Sequence, residues 1–307
     1  MRDHLEALVN NIELVIRGKD DAVCMAVICL LARGHLLIED VPGVGKTSLA
    51  SALASSLNCS FQRIQLTSDL LPSDLLGTMV YNPSTQQFQL KSGPIFHHIV
   101  LVDEINRTTP RTQSALLEAM NEGQVSLDSH TYILPQPFMV LATQNPVEFA
   151  GTFPLPESQL DRFLMRIKLG YPARDAEREV IMGTLTPREL KPIMKAEEIL
   201  AMQRLAEQVR VDDGLVSYIL DLIAATRDSA AVALGASPRA ARALYHAAQA
   251  FAFFEGYDYV LPRHIKELSV PVLAHRILLT ETGNGPANAR RAEEIVRALI
   301  EEINVPL

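Results

Sequence analysis

The segment EDVPGVGKTS, residues 39–48, has the residue types of a phosphate-binding loop. An apolar run precedes it and a run rich in Ala, Ser and Leu follows it, which gives the strand–loop–helix context that such a loop requires. Backbone N–H groups would surround the phosphates, Lys46 would reach their β and γ oxygens, and the Thr47 hydroxyl would coordinate Mg²⁺. Gly43 and Gly45 suit the unusual backbone angles and the close approach. We therefore predict ATP and Mg²⁺ as cofactors, with a nucleotide-contacting set of Pro42, Gly43, Val44, Gly45, Lys46, Thr47 and Ser48.

One position departs from the strict pattern G-x-x-x-x-G-K-[ST], because Asp40 stands where the first glycine is expected. The residues that touch phosphate, Gly45 to Thr47, are all present, whereas the first position mainly shapes the turn. The alternative is a chance glycine turn. The acidic strand that follows argues against that alternative.

The segment IVLVDEINR begins with four apolar residues, which an acidic pair follows. A P-loop enzyme needs one acidic group to hold the Mg²⁺ shell and a base or water-positioning group near the γ-phosphate. We assign the first role to Asp103, with Thr47 as the other metal-site residue, and the second role to Glu104. An acidic pair by itself would equally suit a solvated strand end, and the phosphate loop favours the catalytic interpretation.

A third apolar run, in FMVLATQNP, ends in polar residues. If its strand lies beside the other two, an amide at its carboxyl end can orient a water molecule against the γ-phosphate, because ligands of such sheets bind at the carboxyl ends of the strands. We choose Asn145 for this role. A helix cap or a turn is the alternative for an asparagine considered alone.

The elements that would position these residues form an α/β pattern over residues 1–170. Short apolar runs without alternation are separated by helical segments, which is typical of a mostly parallel sheet between helices. Two further segments, 78–90 and 124–133, alternate around polar turns and are predicted as hairpin inserts. The runs predicted as strands are 35–39, 61–66, 99–102, 138–142 and 163–169.

Beyond Gly170 the pattern changes. Three prolines punctuate a charged stretch, after which strand-like runs largely disappear. We predict a linker over 171–195 and an all-helical domain over 196–307. The segments with helical apolar spacing there are 196–209, 213–227, 238–254, 262–279 and 288–302.

Composition limits the class of protein. A chain of 307 residues is long enough for two domains, and a formal net charge of −8 does not favour a nucleic-acid surface. The start of the chain shows no signal-peptide pattern, and the most apolar stretch, 22–32, is shorter than the roughly 20 residues of a membrane span. We expect a cytoplasmic protein with no transmembrane segment. Cys24, Cys29 and Cys59 form no metal or disulfide pattern and are interpreted as reduced thiols.

In these motifs the chain resembles the MoxR family of AAA+ ATPases along nearly its whole length. The segments that carry the resemblance occur in the expected order: EDVPGVGKT, GPIF, DEINR, TQSALLEAM, ATQNP, GTFPLPESQLDRFLMRI and GASPRA. The resemblance implies a P-loop AAA+ core with a parallel five-stranded sheet between helices, hairpin inserts and a C-terminal helical lid. It places Lys46 and Thr47 in Walker A, Asp103 and Glu104 in Walker B, and Asn145 in sensor 1.

The resemblance also implies roles outside the phosphate loop. Arg162 matches an arginine finger that reaches a neighbouring subunit's γ-phosphate, and Arg239 matches sensor 2. The two hairpins match the helix 2 and pre-sensor 1 inserts. The segment 15–19 occupies the place where such ATPases hold adenine, and within it only Ile16 and Gly18 match the family's motif.

Two of these assignments have physical support in the sequence. An arginine suits a γ-phosphate because its planar, permanently charged guanidinium matches the phosphate oxygens. For Arg162 the alternative is an ion pair within the chain, with Asp161 or Glu157. Ser237 and Pro238 predict a helix start, which places Arg239 in a first turn where a cation is unfavourable unless an anion compensates it.

The predicted function follows from the resemblance. A nucleotide between one subunit's loop and the next subunit's Arg162 implies a head-to-tail ring, expected to be a homo-hexamer. We predict an ATP-dependent, chaperone-like remodeller that works with a von Willebrand factor A domain protein on a partner complex. An AAA+ nucleic-acid motor or loader is the alternative, and a regulatory ATP-binding module with negligible turnover is a third possibility.

Overall fold

A computed structural model describes residues 2–41, 43–128, 130–145, 152–171, 174–182, 190–280 and 286–305. The strands are β1 (Leu36–Glu39), β2 (Phe61–Gln65), β3 (Gly77–Asn82), β4 (Gln87–Ser92), β5 (Ile99–Asp103), β6 (Gln124–Leu127), β7 (His130–Ile133), β8 (Met139–Gln144), β9 (Met165–Ile167), β10 (Val232–Leu234) and β11 (Leu278–Leu279). The helices are α1 (Arg2–Glu13), α2 (Asp20–Leu31), α3 (Lys46–Ser56), α4 (Pro72–Leu76), α5 (Pro110–Glu122), α6 (Glu157–Leu160), α7 (Arg174–Ile181), α8 (Ala196–Ala206), α9 (Asp213–Asp228), α10 (Pro238–Phe254), α11 (Pro262–Leu273) and α12 (Pro286–Glu302). A short 3₁₀ helix, Ile105–Arg107, follows β5.

The predicted five-stranded sheet is present and all its strands are parallel. Their order is β2–β5–β8–β1–β9. Strands β1, β5 and β8 are almost wholly buried, which explains their apolar runs without alternation. The order brings the carboxyl ends of β1, β5 and β8 to one edge of the sheet. The phosphate loop and Asn145 follow the ends of β1 and β8, and the acidic pair lies at the end of β5.

Helices cover both faces of the sheet. The apolar stretch after Asp20 forms helix α2, with eight of its twelve residues buried. On the other face, α5 begins at Pro110, and its first turn is capped by the Thr109 hydroxyl. Both predicted inserts are antiparallel hairpins, β3–β4 and β6–β7. The two hairpins meet where the Tyr132 hydroxyl lies 3.4 Å from Met79 Sδ.

The C-terminal part is mostly helical, as predicted, but the segment predicted as helical over 262–279 ends as a helix at Leu273, and its last two residues form strand β11. Strands β10 and β11 form a short antiparallel pair; β10 follows α9 and β11 precedes α12 in the chain. As predicted, α10 starts at Pro238, and the Ser237 hydroxyl accepts a hydrogen bond from the Ala240 N–H at 3.2 Å. The helical part therefore presents Arg239 in the first turn of α10.

The larger hydrophobic cluster extends through both parts of the chain. It joins side chains of α2 and the sheet to side chains of α8, α10 and α11. The smaller cluster lies on the α5 side of the sheet. The sequence pattern changes at the proposed boundary, residue 170, but residues from both sides of it pack into the larger hydrophobic cluster.

All three cysteines are free, and burial raises the pKa of the Cys24 and Cys59 thiols to about 11.

Candidate nucleotide-binding site

The phosphate loop connects the carboxyl end of β1 to the N-terminus of α3. Gly43 and Gly45 have φ values of +86° and +99°, a region that side chains rarely tolerate. Gly45 is the residue immediately before α3, so the free N–H groups of the first helical turn face the loop. Lys46 Nζ donates to the Asp40 carbonyl at 2.8 Å. Desolvation lowers the pKa of Lys46, while the carboxylates of Asp40, Asp103 and Glu104 oppose that effect.

A cavity of about 320 Å³ lies over this loop. It brings together residues that are far apart in the sequence, from the loop, from β2, from the end of β5 and from the end of β8. A polar, cationic and acidic lining of this kind suits a nucleotide phosphate and its metal. The lining residues are Gly43, Gly45, Lys46, Thr47, Ser48, Arg63, Gln65, Asp103, Glu104, Thr143 and Asn145.

Both carboxylate oxygens of Asp103 have hydrogen-bond partners. The Thr143 hydroxyl donates to Oδ1 at 3.1 Å, and Arg63 Nε donates to Oδ2 at 2.6 Å. The Asp103 side chain is 7% exposed, whereas that of Arg63 is 53% exposed. Asp103 is therefore a fixed, nearly buried carboxylate whose counter-ion is a half-exposed arginine.

Glu104 occupies a strained position at the same edge. Its φ is +58°, and its N–H donates to the Thr143 hydroxyl at 3.0 Å. Its Oε2 accepts from Gln65 Nε2 at 3.0 Å and pairs with Arg107 Nε at 2.9 Å. Left-handed backbone at a bulky residue is costly and is concentrated at functional sites. The turn directs the Glu104 carboxylate into the cavity instead of continuing the strand.

The side chains at this edge fit a Mg²⁺ ion that is shared with phosphate. The Thr47 hydroxyl and the Asp103 carboxylate line the same cavity, and oxygen ligands of this type are those that Mg²⁺ prefers. Among the described residues no cluster of three or more His, Cys, Asp or Glu side chains could hold a metal alone. Mg²⁺ commonly binds through one or two carboxylates together with phosphate and water.

Asp40, the departure from the strict motif, has a structural task. Its Oδ1 accepts from the Val41 N–H at 2.8 Å, and its Oδ2 accepts from the Gly170 N–H at 2.5 Å. The second bond joins the start of the phosphate loop to the segment just beyond β9. A glycine at residue 40 could make neither bond.

The candidate adenine-side segment lies next to the phosphate loop. Ile16 is buried, and a methyl group added at Gly45 would lie 3.8 Å from its Cδ1. Gly18 has a φ of +66°, and the neighbouring Lys19 donates its ammonium to the Tyr171 carbonyl. The structure thus places Ile16 beside the loop. Neither Ile16 nor Gly18 lines the cavity over the phosphates.

Neither of the two predicted arginines lines this cavity. Arg162 Nη1 donates to the Leu117 carbonyl at 2.9 Å, and its Nε is buried without a hydrogen-bond partner. In the part of the chain that the structure describes, no carboxylate lies within salt-bridge distance of Arg162, so the ion pair with Asp161 or Glu157 is not observed. Arg239, 56% exposed, lies 4.0 Å from Asp161 Oδ2.

Asp161 instead pairs with Arg276, which sequence reasoning missed. Arg276 Nε donates to Asp161 Oδ1 at 2.8 Å, and its other nitrogens donate to backbone carbonyls that include Phe163 at 2.7 Å. Burial lowers the pKa of Arg276 to about 10, although Asp161 opposes this. The helical part therefore fixes the backbone on either side of Arg162. No motif marks this arginine, because its partners lie more than a hundred residues earlier in the chain.

The structure brings most of the predicted site residues into one place. Those that line the phosphate cavity are Gly43, Gly45, Lys46, Thr47, Ser48, Asp103, Glu104 and Asn145. Val44 is a buried residue of the loop, and Pro42 lies outside the described residues. Arg63, Gln65 and Thr143 line the cavity but were not predicted. Arg63 and Gln65 are two residues apart on β2, so their side chains lie on the same face of the strand. Sequence could have placed them in the cavity only if the pairing of β2 with β5 had been known.

Comparisons with known proteins agree with this geometry. The family described as "ATPase family associated with various cellular activities (AAA)" matches residues 35–165, and the AAA lid domain matches residues 224–299. The uncharacterized protein YeaC of Bacillus subtilis is 47% identical over 302 residues, 97% of this chain and 94% of that protein. Chaperone MoxR1 of Mycobacterium tuberculosis is 39% identical over 313 residues, 98% of this chain and 82% of that protein.

A solved structure is also similar. A crystal structure described as that of a candidate ATPase from Cytophaga hutchinsonii superimposes with a TM-score of 0.90 at 38% identity, covering 100% of this chain and 96% of that one. Fold and site together define an AAA+ P-loop ATPase with a helical lid. Because these relatives match nearly the whole chain, the chain belongs to the MoxR family of AAA+ ATPases, one of whose members is named as a chaperone. Among the described residues no helix is both long and apolar enough to span a membrane.

Proposed function

We propose that this protein hydrolyses ATP with Mg²⁺ at sites shared between neighbouring subunits of a homo-oligomeric ring, expected to be a hexamer. The observation that carries the proposal is the division of the site residues into two groups. The phosphate loop, Asp103, Glu104 and Asn145 line one cavity, whereas Arg162 and Arg239 lie beside Asp161 and outside that cavity.

The chemistry follows from what the lining residues can do. The loop N–H groups and Lys46 bind phosphate oxygens, and the Glu104 carboxylate is the base that accepts a proton from the attacking water. Asn145 positions that water. Thr47 and Asp103 would hold Mg²⁺, which neutralises charge on the phosphates when it is bound. Gln65 and Arg107 bind the Glu104 carboxylate in the structure, so this base must exchange partners before it acts.

The second group supplies positive charge to a neighbour. Arg162 retains a buried Nε without a partner and has no paired carboxylate among the described residues. A fixed, unpaired guanidinium suits a γ-phosphate that is brought by another subunit, and such a finger contributes about 10³- to 10⁵-fold in rate. Arg239, held near Asp161, would contact the same neighbouring nucleotide. A contact of this kind repeats head to tail and closes as a ring.

The output we propose is mechanical work on a protein complex. The two hairpins meet each other and expose apolar side chains, with Phe88 66% and Ile133 77% exposed. Changes at the core–lid contact during turnover would move these hairpins against a client. A von Willebrand factor A domain protein is the proposed partner, as the family resemblance implies.

Two substitutions in the cavity test the ATPase assignment. Lys46→Ala removes the phosphate-binding ammonium and should abolish ATP binding. Glu104→Gln keeps the size of the side chain but removes the base, so ATP binding should persist while turnover falls at least about 100-fold. Fluorescent-nucleotide binding and phosphate release measure the two effects.

Glu207→Gln is the matched control, since Glu207 is half-exposed, pairs with Arg33 and does not line the cavity. It should retain both binding and turnover. Normal phosphate release by Lys46→Ala and Glu104→Gln would overturn the assignment. Tight ATP binding by the parent protein without any phosphate release would contradict hydrolysis and leave a binding module.

A further inference from the structure

Arg63 is a residue of the phosphate cavity that the proposed mechanism does not use. It lies on β2, the edge strand of the sheet, where its backbone is opposite Leu101 of β5. Its side chain nevertheless reaches two residues further along β5, to the carboxylate of Asp103. Arg63 therefore points along the sheet towards the edge at which nucleotide and metal would bind.

Arg63 is the counter-ion of Asp103 in the described structure. Two other nearby cations have different partners: Lys46, which also lines the cavity, donates to the Asp40 carbonyl, and Arg107 pairs with Glu104. Thr143 satisfies one oxygen of Asp103, which leaves Oδ2 for a charged partner. The only ion pair of Asp103 among the described residues is the one with Arg63.

The two partners differ in their exposure to solvent, and this decides which of them can leave. Asp103 is nearly buried, so loss of its partner without replacement would leave an uncompensated carboxylate, which is strongly unfavourable. Arg63 is half-exposed, so its guanidinium can return to water at little cost. Arg63 can therefore leave only when another cation takes its place at Asp103.

We propose that Arg63 is a positioning residue that holds the Asp103 carboxylate in the nucleotide-free protein and competes with Mg²⁺ for it. The proposal rests on the assignment of Asp103 to the metal site under Proposed function. Arg63 keeps the carboxylate oriented between β5 and β8 and compensates its charge until Mg²⁺ arrives. The same ion pair lowers the apparent affinity for the metal, so metal and guanidinium occupy Asp103 in alternation.

If Arg63 competes with Mg²⁺ for Asp103, replacing Arg63 should change how strongly ATP binding depends on Mg²⁺. Arg63→Gln removes the competing charge and leaves Asp103 free to attract Mg²⁺ and to repel metal-free ATP. The ratio of the ATP-analogue Kd in EDTA to the Kd in Mg²⁺ should therefore rise about three- to tenfold, the range expected for a charge-assisted hydrogen bond at a partly exposed site. Arg63→Lys keeps the charge but loses the planar fork, so it should raise the ratio less.

The experiment measures this ratio by fluorescence titration of an ATP analogue, with thermal unfolding as a check on folding. Arg33→Gln is the matched control, because Arg33 Nε bonds Glu207 at 2.7 Å, as Arg63 Nε bonds Asp103 at 2.6 Å, yet lies outside the cavity. It should leave the ratio unchanged. In an Asp103→Asn background, Arg63→Gln should no longer change the ratio.

The outcomes separate this inference from the function on which it rests. If the parent protein binds the analogue without any dependence on Mg²⁺, the proposed Mg²⁺-dependent function is wrong. If the parent protein depends on Mg²⁺ but Arg63→Gln leaves the ratio equal or lowers it, the role of Arg63 is wrong. Should Arg63→Gln fail to fold, an unchanged or lowered ratio in Arg63→Lys overturns the role in the same way.

Discussion

Asp40 shows how one residue can depart from a motif and still serve it. The strict pattern would place glycine here, but the Asp40 carboxylate accepts hydrogen bonds from Val41 in the loop and from Gly170 beyond β9. Its backbone carbonyl accepts from Lys46. The side chain thus stabilises the position of the loop, while the backbone carbonyl holds Lys46, the predicted phosphate-binding residue.

Asp40→Ala should separate these two contributions. It removes both side-chain hydrogen bonds and keeps the carbonyl, so the free energy of unfolding should fall by about 1–3 kcal/mol while ATP binding persists. Urea unfolding and nucleotide titration measure the two quantities. Asp221→Ala, a change at an exposed side chain of α9, should stay within about 0.5 kcal/mol of the parent protein. Loss of ATP binding by a folded Asp40→Ala variant would contradict these separate roles of the Asp40 side chain and backbone carbonyl.

At the residue scale, the sequence predicts the site residues that are recognisable from their immediate neighbours in the chain. Gly45, Lys46 and Thr47 are consecutive, and Asp103 and Glu104 directly follow an apolar strand, so their types and context suffice. The contact of Arg63 with Asp103 could not be predicted in the same way. It depends on β2 pairing with β5, a crossover that no local pattern specifies.

At the scale of elements, His35 joins three parts of the core. Its ring lies at the start of β1, where Nδ1 accepts from the Val140 N–H of β8 at 3.0 Å and Nε2 donates to the Met120 carbonyl of α5 at 2.9 Å. This arrangement requires the neutral ring. Burial lowers the pKa of His35 to about 4, although the bond to Met120 opposes the effect.

The stability of the protein should therefore depend on pH through His35. Below about pH 6.5 the unfolded chain binds a proton that the folded chain does not, so the free energy of unfolding decreases until about pH 4, by up to about 3 kcal/mol. Above pH 6.5 this contribution is complete. Denaturant unfolding at several pH values should show a shallower decline between pH 6.5 and 4 for His35→Gln than for the parent protein.

Comparison at pH 8 serves as the control for this prediction. At that pH His35 is neutral in both states, so any difference between the two proteins there reports lost packing and hydrogen bonds and not titration. Equal declines between pH 6.5 and 4 in both proteins would contradict the role of His35.

Elements with a strong pattern were predicted, and those that depend on distant partners were not. The five core strands, both hairpins and the capped start of α10 follow from apolar runs, alternation and the Ser237–Pro238 pair. The pair β10–β11 was missed. Its strands have three and two residues, too few for a period, and they are stabilised by neighbouring helices more than by their own sequence.

At the scale of the whole molecule, the helical part does more than cover the core. Its Arg276 is 2% exposed and binds the backbone and the carboxylate of the segment that carries Arg162. The Ser237 hydroxyl donates a hydrogen bond to the carboxylate of Asp161, and Arg239 forms an ion pair with the same carboxylate. A movement of the helical part would therefore carry both Arg162 and Arg239, which links one subunit's lid to its neighbour's nucleotide in the proposed ring.

The most direct test of a site shared between subunits mixes two inactive variants. Arg162→Ala keeps its own base and lacks the finger, whereas Glu104→Gln keeps the finger and lacks the base. In a mixed ring, an Arg162→Ala subunit that receives the finger of a Glu104→Gln neighbour has a complete site. Phosphate release should therefore rise well above the sum of the separate variants, and a rate equal to that sum at every mixing ratio would contradict the shared site.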